Sequence, residues 1–254
     1  INGYIYEDGY VEENAIDAVV CCFGKYDCFR ERTGFGCVAD PYILFYNDTY
    51  YAYGTSRADG FEVYSSKDMK SWERSPRLAL SKEDSYGDKW FWAPEVYYVE
   101  EDKKFYMFYS AEEHICVATS DSPAGPFRQE VKHPIWEEKS IDTSLFIDDD
   151  GTPYLYFVRF TDGNVIWVAQ MTDDLMKIKT ETLSECIKAE EPWELLQAKV
   201  AEGPSVLKKN GTYYLIYSAN HYQNKGYGVG YATSESPMGP WIKYSKNPLL
   251  QGVE

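Results

Sequence analysis

The chain has 254 residues and a formal charge of −16, because 41 aspartates and glutamates outnumber 25 lysines and arginines. This acidic excess argues against a nucleic-acid partner, which would need clustered cations to bind phosphates. Charged residues (26%) and hydrophobic residues (44%) are in ordinary globular proportions, and no apolar run approaches 18 residues, so disorder and a membrane partner are also excluded.

The first 39 residues contain one candidate hairpin, at 4–10, and most of the cysteines. No Cys-x-x-Cys or Cys/His spacing typical of a zinc site is present. We therefore expect free thiols, which favour the bacterial cytoplasm over secretion, although the compartment is left open. The six cysteines are Cys21, Cys22, Cys28, Cys37, Cys116 and Cys186.

From residue 40 onward the chain repeats itself four times. Each repeat predicts a strand, a tight turn, a second strand, a loop and a third strand, and Asn210-Gly211 and Asp150-Gly151 are strong hairpin signals. About fifty residues with three or four strands is the size of a propeller blade. The four repeats begin at 40, 93, 142 and 202.

The fold class predicted for 1–254 is therefore all-β, as a single β-propeller domain. Four blades fill the chain from Asp40 to about Leu250, and the N-terminal hairpin could contribute to another. We expect helix only as a short piece near 192–197, where a proline would lie in the first turn.

Acidic residues recur where the blades open. Asp40, Asp142 and Glu202 lie in nearly equivalent positions, and Glu95 lies two residues further along its strand. Since the first strands of propeller blades line one channel, these carboxylates should converge. Converging carboxylates among aromatic residues (24 Tyr and 7 Trp) suit acetal hydrolysis, which needs a proton donor and a second carboxylate. Binding of a hard cation is the competing interpretation.

Five short motifs are spread along the chain: Ala39-Asp40-Pro41, Phe91-Trp92-Ala93-Pro94-Glu95, Ile141-Asp142-Thr143-Ser144-Leu145-Phe146, Asp148-Asp149-Asp150-Gly151 and Glu202-Gly203-Pro204. A Ser-Pro-x-Gly-Pro-aromatic sequence also occurs twice, at 122–127 and 236–241. In this order along the chain, the motifs resemble glycoside hydrolase family 43, and the resemblance runs from about Val38 to the C-terminus.

The resemblance implies a five-bladed propeller, whose fifth blade is incomplete in this chain, and an inverting mechanism. It implies that Asp40 is the general base, that Glu202 is the general acid, and that Asp142 orients the acid and keeps it protonated. Inversion needs room for a water molecule, so the carboxyl groups of Asp40 and Glu202 should be roughly 6.5–9.5 Å apart. No cofactor is required; a structural calcium ion in the channel is compatible with the resemblance, but no metal ligand is assigned.

Three further residues are candidates for substrate binding. Trp92 could form a wall of the sugar pocket, with a core tryptophan as the alternative. Arg159 could donate hydrogen bonds to sugar hydroxyls or could instead be ion-paired. His221 lies in a loop that flanks the mouth, where an ordinary surface histidine is the alternative.

The predicted function is hydrolysis of pentose glycosides, by a β-xylosidase or α-L-arabinofuranosidase acting on plant cell-wall polysaccharides or oligosaccharides. One alternative is an endo-1,5-α-L-arabinanase, which would share the three carboxylates. Another is a non-catalytic carbohydrate-binding propeller. A sugar phosphorylase would need a cationic phosphate pocket, for which no cluster is evident. The oligomeric state is not predicted.

Overall fold

The structure, a computed structural model, describes residues 38–252. Within this range the regular structure is β-strand apart from three 3-10 turns, Lys82–Asp84, Thr180–Thr182 and Pro192–Glu194. Within the described residues the chain divides into two compact units, one comprising 38–107 and 117–133 and the other 108–116 and 134–252. No helix in residues 38–252 has the length and apolar character needed to cross a membrane.

The first unit opens with an antiparallel blade. Its strands and those of a small side sheet are β1 (Ala39–Tyr46), β2 (Thr49–Thr55), β3 (Gly60–Phe61), β4 (Tyr64–Ser66), β5 (Glu73–Arg74) and β6 (Leu80–Ser81). The blade has the order β1-β2-β4-β5, and β3 pairs with β6. The inner part of this blade is tightly packed, since Ala52 and Tyr53 on β2 are completely buried.

The second blade has three strands in sequence order. They are β7 (Trp92–Val99), β8 (Lys104–Ala111) and β9 (His114–Ser120). Strand β8 is buried along almost its whole length, as expected for the middle strand of a blade. The division between the two units falls within β8 and β9.

The second unit contains two complete blades. The third blade has the order β10-β11-β12-β13 and the fourth β14-β15-β16-β17, with a short β18 also paired to β16. Buried side chains of both blades, including Tyr156, Val158, Leu215 and Tyr217, form one core. The strands are β10 (Ser140–Ile147), β11 (Pro153–Phe160), β12 (Asn164–Gln170), β13 (Ser184–Lys188), β14 (Ala201–Lys209), β15 (Thr212–Ala219), β16 (Gly228–Ser234), β17 (Ile242–Lys243) and β18 (Leu250–Gln251).

The hairpin predicted at Asn210-Gly211 is confirmed as a two-residue turn, and the one predicted at Asp150-Gly151 is present as a longer loop between β10 and β11. Asn210 and Gly211 have φ values of 51° and 79°, and Asn47 and Asp48, in a turn of the same form, have 48° and 54°. Two consecutive residues with positive φ form the turn whose twist matches that of antiparallel strands, and asparagine, aspartate and glycine tolerate it best. These turns set the register that brings the next strand back beside the first.

The repeated Ser-Pro-x-Gly-Pro motif anchors buried tyrosines. The hydroxyl of Tyr53 donates to the carbonyl of Pro123, and that of Tyr156 donates to the carbonyl of Pro237 at 2.6 Å. A buried phenol needs such an acceptor, because leaving its hydroxyl unpaired would cost free energy. The motif is therefore repeated because it completes the same contact in both units.

These observations confirm an all-β propeller architecture with four blades. The predicted helical piece near 192–197 is a single 3-10 turn, Pro192–Glu194, with Pro192 in its first position. The hairpin at 4–10 and the cysteines before residue 38 lie outside the described residues. A fifth blade is not among residues 38–252, and the single domain over 1–254 stays a prediction.

Candidate active site

The first strand of every blade begins with the same backbone irregularity. One residue has a positive φ: Asp40 (48°), Ala93 (46°), Asp142 (56°) or Gly203 (58°). The strand register shifts at this point in the first, third and fourth blades. Such a bulge redirects side chains, and a non-glycine residue held at positive φ is a strain often found at functional sites.

The register refines the predicted equivalence of the three carboxylates. Asp40 and Asp142 both occupy the positive-φ position, whereas Glu202 lies one residue earlier, immediately before Gly203. The counterpart of Glu202 in the second blade is Trp92, which precedes Ala93. The fourth blade therefore places glycine at the strained position and its carboxylate beside it.

In the first unit, Asp40 is held by a chain of hydrogen bonds. The Thr55 hydroxyl donates to Oδ2 of Asp40 at 2.6 Å and accepts from the backbone N–H of Ala93 at 2.9 Å. Asp40 is accessible to water, yet enough protein surrounds it that desolvation raises its pKa, against the lowering effect of the Thr55 hydrogen bond. An aspartate with a raised pKa and one anchored oxygen suits a general base.

The same hydrogen bonds bring Trp92 near Asp40, because Trp92 directly precedes Ala93, whose N–H donates to Thr55. Its half-buried indole stacks on that of Trp90, with ring centroids 5.9 Å apart and planes at 15°. Trp90 is 44% exposed, and the Lys89 ammonium lies 4.2 Å from the centroid of its ring. The first unit thus brings together an anchored carboxylate and an aromatic pair, although a role for Trp92 in sugar binding stays a prediction.

In the second unit, Asp142 is fixed at both its backbone and its side chain. Its N–H donates to the hydroxyl of Ser110 at 3.1 Å, and its Oδ2 accepts from the N–H of Gly203, also at 3.1 Å. The Asp142 carboxylate therefore contacts the peptide group that follows Glu202. The structure brings these two predicted site residues together.

A difference in sequence between the repeats explains the hydrogen bond between Gly203 and Asp142. In the second and third blades, the N–H of the positive-φ residue donates to a hydroxyl group of the preceding blade. The acceptor is Thr55 for the second blade and Ser110 for the third. The third blade has Val158 at the position of Thr55, as their equivalent pairings with Ile141 and Ala39 show. Since valine cannot accept a hydrogen bond, the carboxylate of Asp142 takes its place.

Both carboxylate oxygens of Glu202 have partners that the sequence did not predict. The amide Nδ2 of Asn164 donates to Oε2, and the hydroxyl of Tyr227 donates to Oε1, each at 3.0 Å. Burial and the neighbouring charge of Glu202 raise the pKa of Tyr227, so the phenol stays protonated. Asn164 begins β12 and Tyr227 immediately precedes β16, so both lie where the third strand of their blade begins, a position that aligning the repeats could have singled out.

The remaining two candidates lie in different surroundings. Arg159 pairs with Glu138 at 2.8 Å, and its guanidinium lies over the rings of Trp136 and Trp167, at 4.7 and 4.4 Å from their centroids. His221 stacks on the exposed Tyr222 and accepts from the N–H of Gln223. The ion-paired alternative for Arg159 is therefore present, and binding of sugar by either residue stays a prediction.

The described residues offer no evident metal centre. Across 38–252, no three histidine, cysteine, aspartate or glutamate side chains are grouped so that they could hold an ion. A calcium site is therefore not assigned to these residues. Of the cysteines in this range, Cys116 and Cys186 are free thiols, and burial raises the pKa of each, which makes them poor nucleophiles.

Comparison with known proteins points to one family. The model of glycosyl hydrolases family 43 matches residues 34–253. A solved structure described as an endo-1,4-beta-xylanase from Bacteroides thetaiotaomicron is 78% identical, with a TM-score of 0.83, over 85% of this chain and 75% of that one. A thermostable family-43 glycoside hydrolase is 39% identical, with a TM-score of 0.78, over 87% and 76% of the two chains.

Curated relatives act on several furanosides and pentosides. A beta-D-galactofuranosidase of Aspergillus niger is 28% identical over 85% of this chain and 66% of its own length. An arabinoxylan arabinofuranohydrolase of Bacillus subtilis is 29% identical over 83% of this chain and 50% of its own length. The chain thus spans about half to two thirds of the length of these relatives.

Proposed function

Because the chain belongs to glycosyl hydrolase family 43, we propose that it is an inverting glycoside hydrolase that cleaves pentose glycosidic bonds in plant polysaccharides or oligosaccharides. Xylosides are the first substrate class, supported by the description of the 78% identical structure as an endo-1,4-beta-xylanase. Arabinofuranosides are the second, supported by the name of the Bacillus subtilis relative. The substrate is a neutral sugar, so the net charge of −16 does not contribute to its recognition.

The observation that carries this proposal is the hydrogen bond from Gly203 N–H to Asp142 Oδ2. It fixes the Asp142 carboxylate beside the backbone of a second acidic residue, Glu202. The carboxylate oxygens of Glu202 accept hydrogen bonds from Asn164 and Tyr227. Like charges at close range favour a proton on one of the pair, and a general acid must carry a proton at neutral pH.

In the proposed mechanism, Glu202 protonates the glycosidic oxygen while a water molecule attacks the anomeric carbon. Asp40 takes the proton from that water through its second oxygen, Oδ1, since Thr55 occupies Oδ2. Asp142 acts through Glu202, by holding the peptide that carries it. The C–O bond to the leaving sugar breaks as the bond to water forms on the opposite face, which inverts the anomeric centre.

The test compares Glu202→Ala and Asp40→Asn with the wild type on xylobiose, aryl β-xylosides and aryl α-L-arabinofuranosides. Loss of the acid should lower kcat on xylobiose by on the order of 10²–10⁴, but much less on aryl glycosides with good leaving groups, which need no proton. Asp40→Asn should lower kcat on all of them. Glu235→Gln, which removes an exposed carboxylate from the same unit as Glu202, is the control.

Equal losses on all substrates in Glu202→Ala would contradict its assignment as the acid. If the protein binds sugar without turnover, and Asp40→Asn does not change that binding, the non-catalytic carbohydrate-binding alternative would be supported. The sizes of products released from xylan and linear arabinan distinguish release of single pentoses from internal cleavage. Internal cleavage of arabinan alone would favour the arabinanase alternative.

The five-bladed propeller is part of the same proposal. Four blades lie within residues 38–252, and the 78% identical structure extends beyond the part that this chain covers. A crystal structure of the longest natural form of the chain tests the blade count. A ring closed by four blades would contradict it.

A further inference from the structure

We propose that Tyr227 and Asn164 give the two oxygens of Glu202 different roles: Oε1 carries the proton that is delivered to the leaving group, and Tyr227 is the residue that positions it. This inference rests on the proposed function, because it assigns atoms within the same general acid. It concerns residues that neither the family motifs nor the relatives' names assign.

The argument begins with the fixed partner of Oε2. An asparagine Nδ2 group donates hydrogen bonds and cannot accept one, so the Oε2 atom that faces Asn164 at 3.0 Å must present a lone pair. Asn164 is itself held in place, because its N–H donates to the carbonyl of Lys199 at 3.1 Å. When Glu202 is protonated, its carbonyl oxygen is the better acceptor for this N–H group, so the proton is favoured on Oε1.

The partner of Oε1 can reverse its role. A phenol hydroxyl donates and accepts, so Tyr227 donates to Oε1 when Glu202 is ionised and can accept from Oε1 when Glu202 is protonated. Its side chain also interacts with the hydroxyl of Ser218, which offers the phenol proton a second partner. This arrangement lets the Oε1 proton rest against Tyr227 and turn to the glycosidic oxygen when substrate arrives.

Tyr227 remains a neutral phenol through both states. Burial raises its pKa first, and the charges of Glu202 and Asp142 raise it further. These are the ionisable groups that act on this hydroxyl from the first strands of the third and fourth blades. As Glu202 loses its proton in the transition state, the phenol donates to the oxygen on which negative charge develops, and so stabilises that state.

The experiment uses Tyr227→Phe, which removes only the hydroxyl, on a series of aryl β-xylosides with leaving groups of increasing basicity. We expect kcat to fall about 10-fold on the poorest leaving groups and less than about 2-fold on dinitrophenyl glycosides, with KM almost unchanged. The alkaline limb of the kcat/KM profile should move to higher pH, because a donor to the ionised form of Glu202 is lost. Tyr231→Phe is the matched control. Tyr231 lies four residues after Tyr227 in the chain, and its ring packs against Tyr214 and Tyr244.

A second variant keeps the inference testable if Tyr227→Phe does not fold. Asn164→Asp places an acceptor against Oε2 and draws the proton to that oxygen, so it should lower kcat on poor leaving groups more than Tyr227→Phe does. A Tyr227→Phe profile like that of Tyr231→Phe, or an equal loss on every leaving group, would overturn the inference. If Glu202→Ala shows the expected pattern in the same assays, the proposed function survives that result; if it does not, the proposed function itself fails.

Discussion

Two glutamates of the second unit, eight residues apart, show how surroundings separate a structural carboxylate from a reactive one. Glu194 is completely buried, and its oxygens accept from the ammonium of Lys243, the hydroxyl of Tyr217 and two backbone N–H groups. Glu202 is half-buried, and its oxygens accept from the neutral groups of Asn164 and Tyr227.

The difference teaches what each site can do with a proton. Burial alone would raise the pKa of Glu194, but the hydrogen bonds from Lys243 and Tyr217 outweigh it and hold this pKa below its usual value. Glu194 is thus fixed as an anion that ties the Pro192–Glu194 turn to β15 and β17. The hydroxyl facing Glu202 can instead donate or accept, which suits a group that gains and loses a proton in each turnover.

The largest expected effect is on activity. Glu202→Gln should lower kcat on xylobiose by on the order of 10²–10⁴, because the amide cannot transfer a proton to the leaving oxygen. The melting temperature should stay close to that of the wild type, since the amide keeps the shape of the side chain. Parallel kinetics and thermal unfolding check this, and a large loss of stability with little loss of activity would break the comparison.

Glu194→Gln should have the opposite outcome. Removing one member of a buried ion pair leaves Lys243 without its counter-charge, which typically costs ~3–5 kcal/mol. The melting temperature should fall by on the order of 10 °C, while kcat per folded molecule changes little. Glu190→Gln is the control, because the Glu190 side chain is 59% exposed and its pair with Lys188 contributes under about 1 kcal/mol.

The pair of Glu194 and Lys243 also predicts that the stability of the fold depends on pH. Because its pKa is lowered on folding, the contribution of Glu194 is fully present above its unfolded value of about 4.5 and is lost as pH falls through the folded pKa. The stability gap between the wild type and Glu194→Gln should therefore be constant near neutral pH and narrow below about pH 4.5. Urea unfolding of both proteins at pH 7 and pH 3.5 measures this gap, and a gap that widens in acid would contradict the assignment.

The smallest effect concerns Asp40 in the first unit. Thr55→Val removes a hydrogen bond that lowers the pKa of Asp40, so the acidic limb of the kcat/KM profile should move up by roughly 0.5–1 pH unit. Thr55→Ser keeps the hydroxyl and should restore the limb. If the valine and serine variants have the same profile, Thr55 does not act on the base.

Local sequence patterns were sufficient to predict the blades and the positions of two acids. Asn-Gly and Asp-Gly turns, together with alternating apolar residues, determine hairpins within a few residues, so they can be recognised without a structure. Asp40 and Asp142 were recognisable because each opens a repeat, and the structure places both on the same strained residue of the bulge.

The partners of Glu202 were not predictable in the same way. Asn164 and Tyr227 lie 38 and 25 residues from it in the chain, and only the stacking of strands brings them to its oxygens. Arg159 shows the same limit: its cation lies over the rings of Trp136 and Trp167, a contact that no local spacing reveals. Such contacts depend on the packing of separate elements and therefore need the folded structure.

The most direct test of the account is the configuration of the first sugar released. NMR of an aryl β-xyloside during the first minutes of hydrolysis, before the free sugar equilibrates, reports which anomer is formed. Direct attack of water activated by Asp40, with Glu202 as the acid, predicts α-xylose first. If β-xylose appears first, a covalent intermediate is formed, and the assignment of Asp40 as a general base is contradicted.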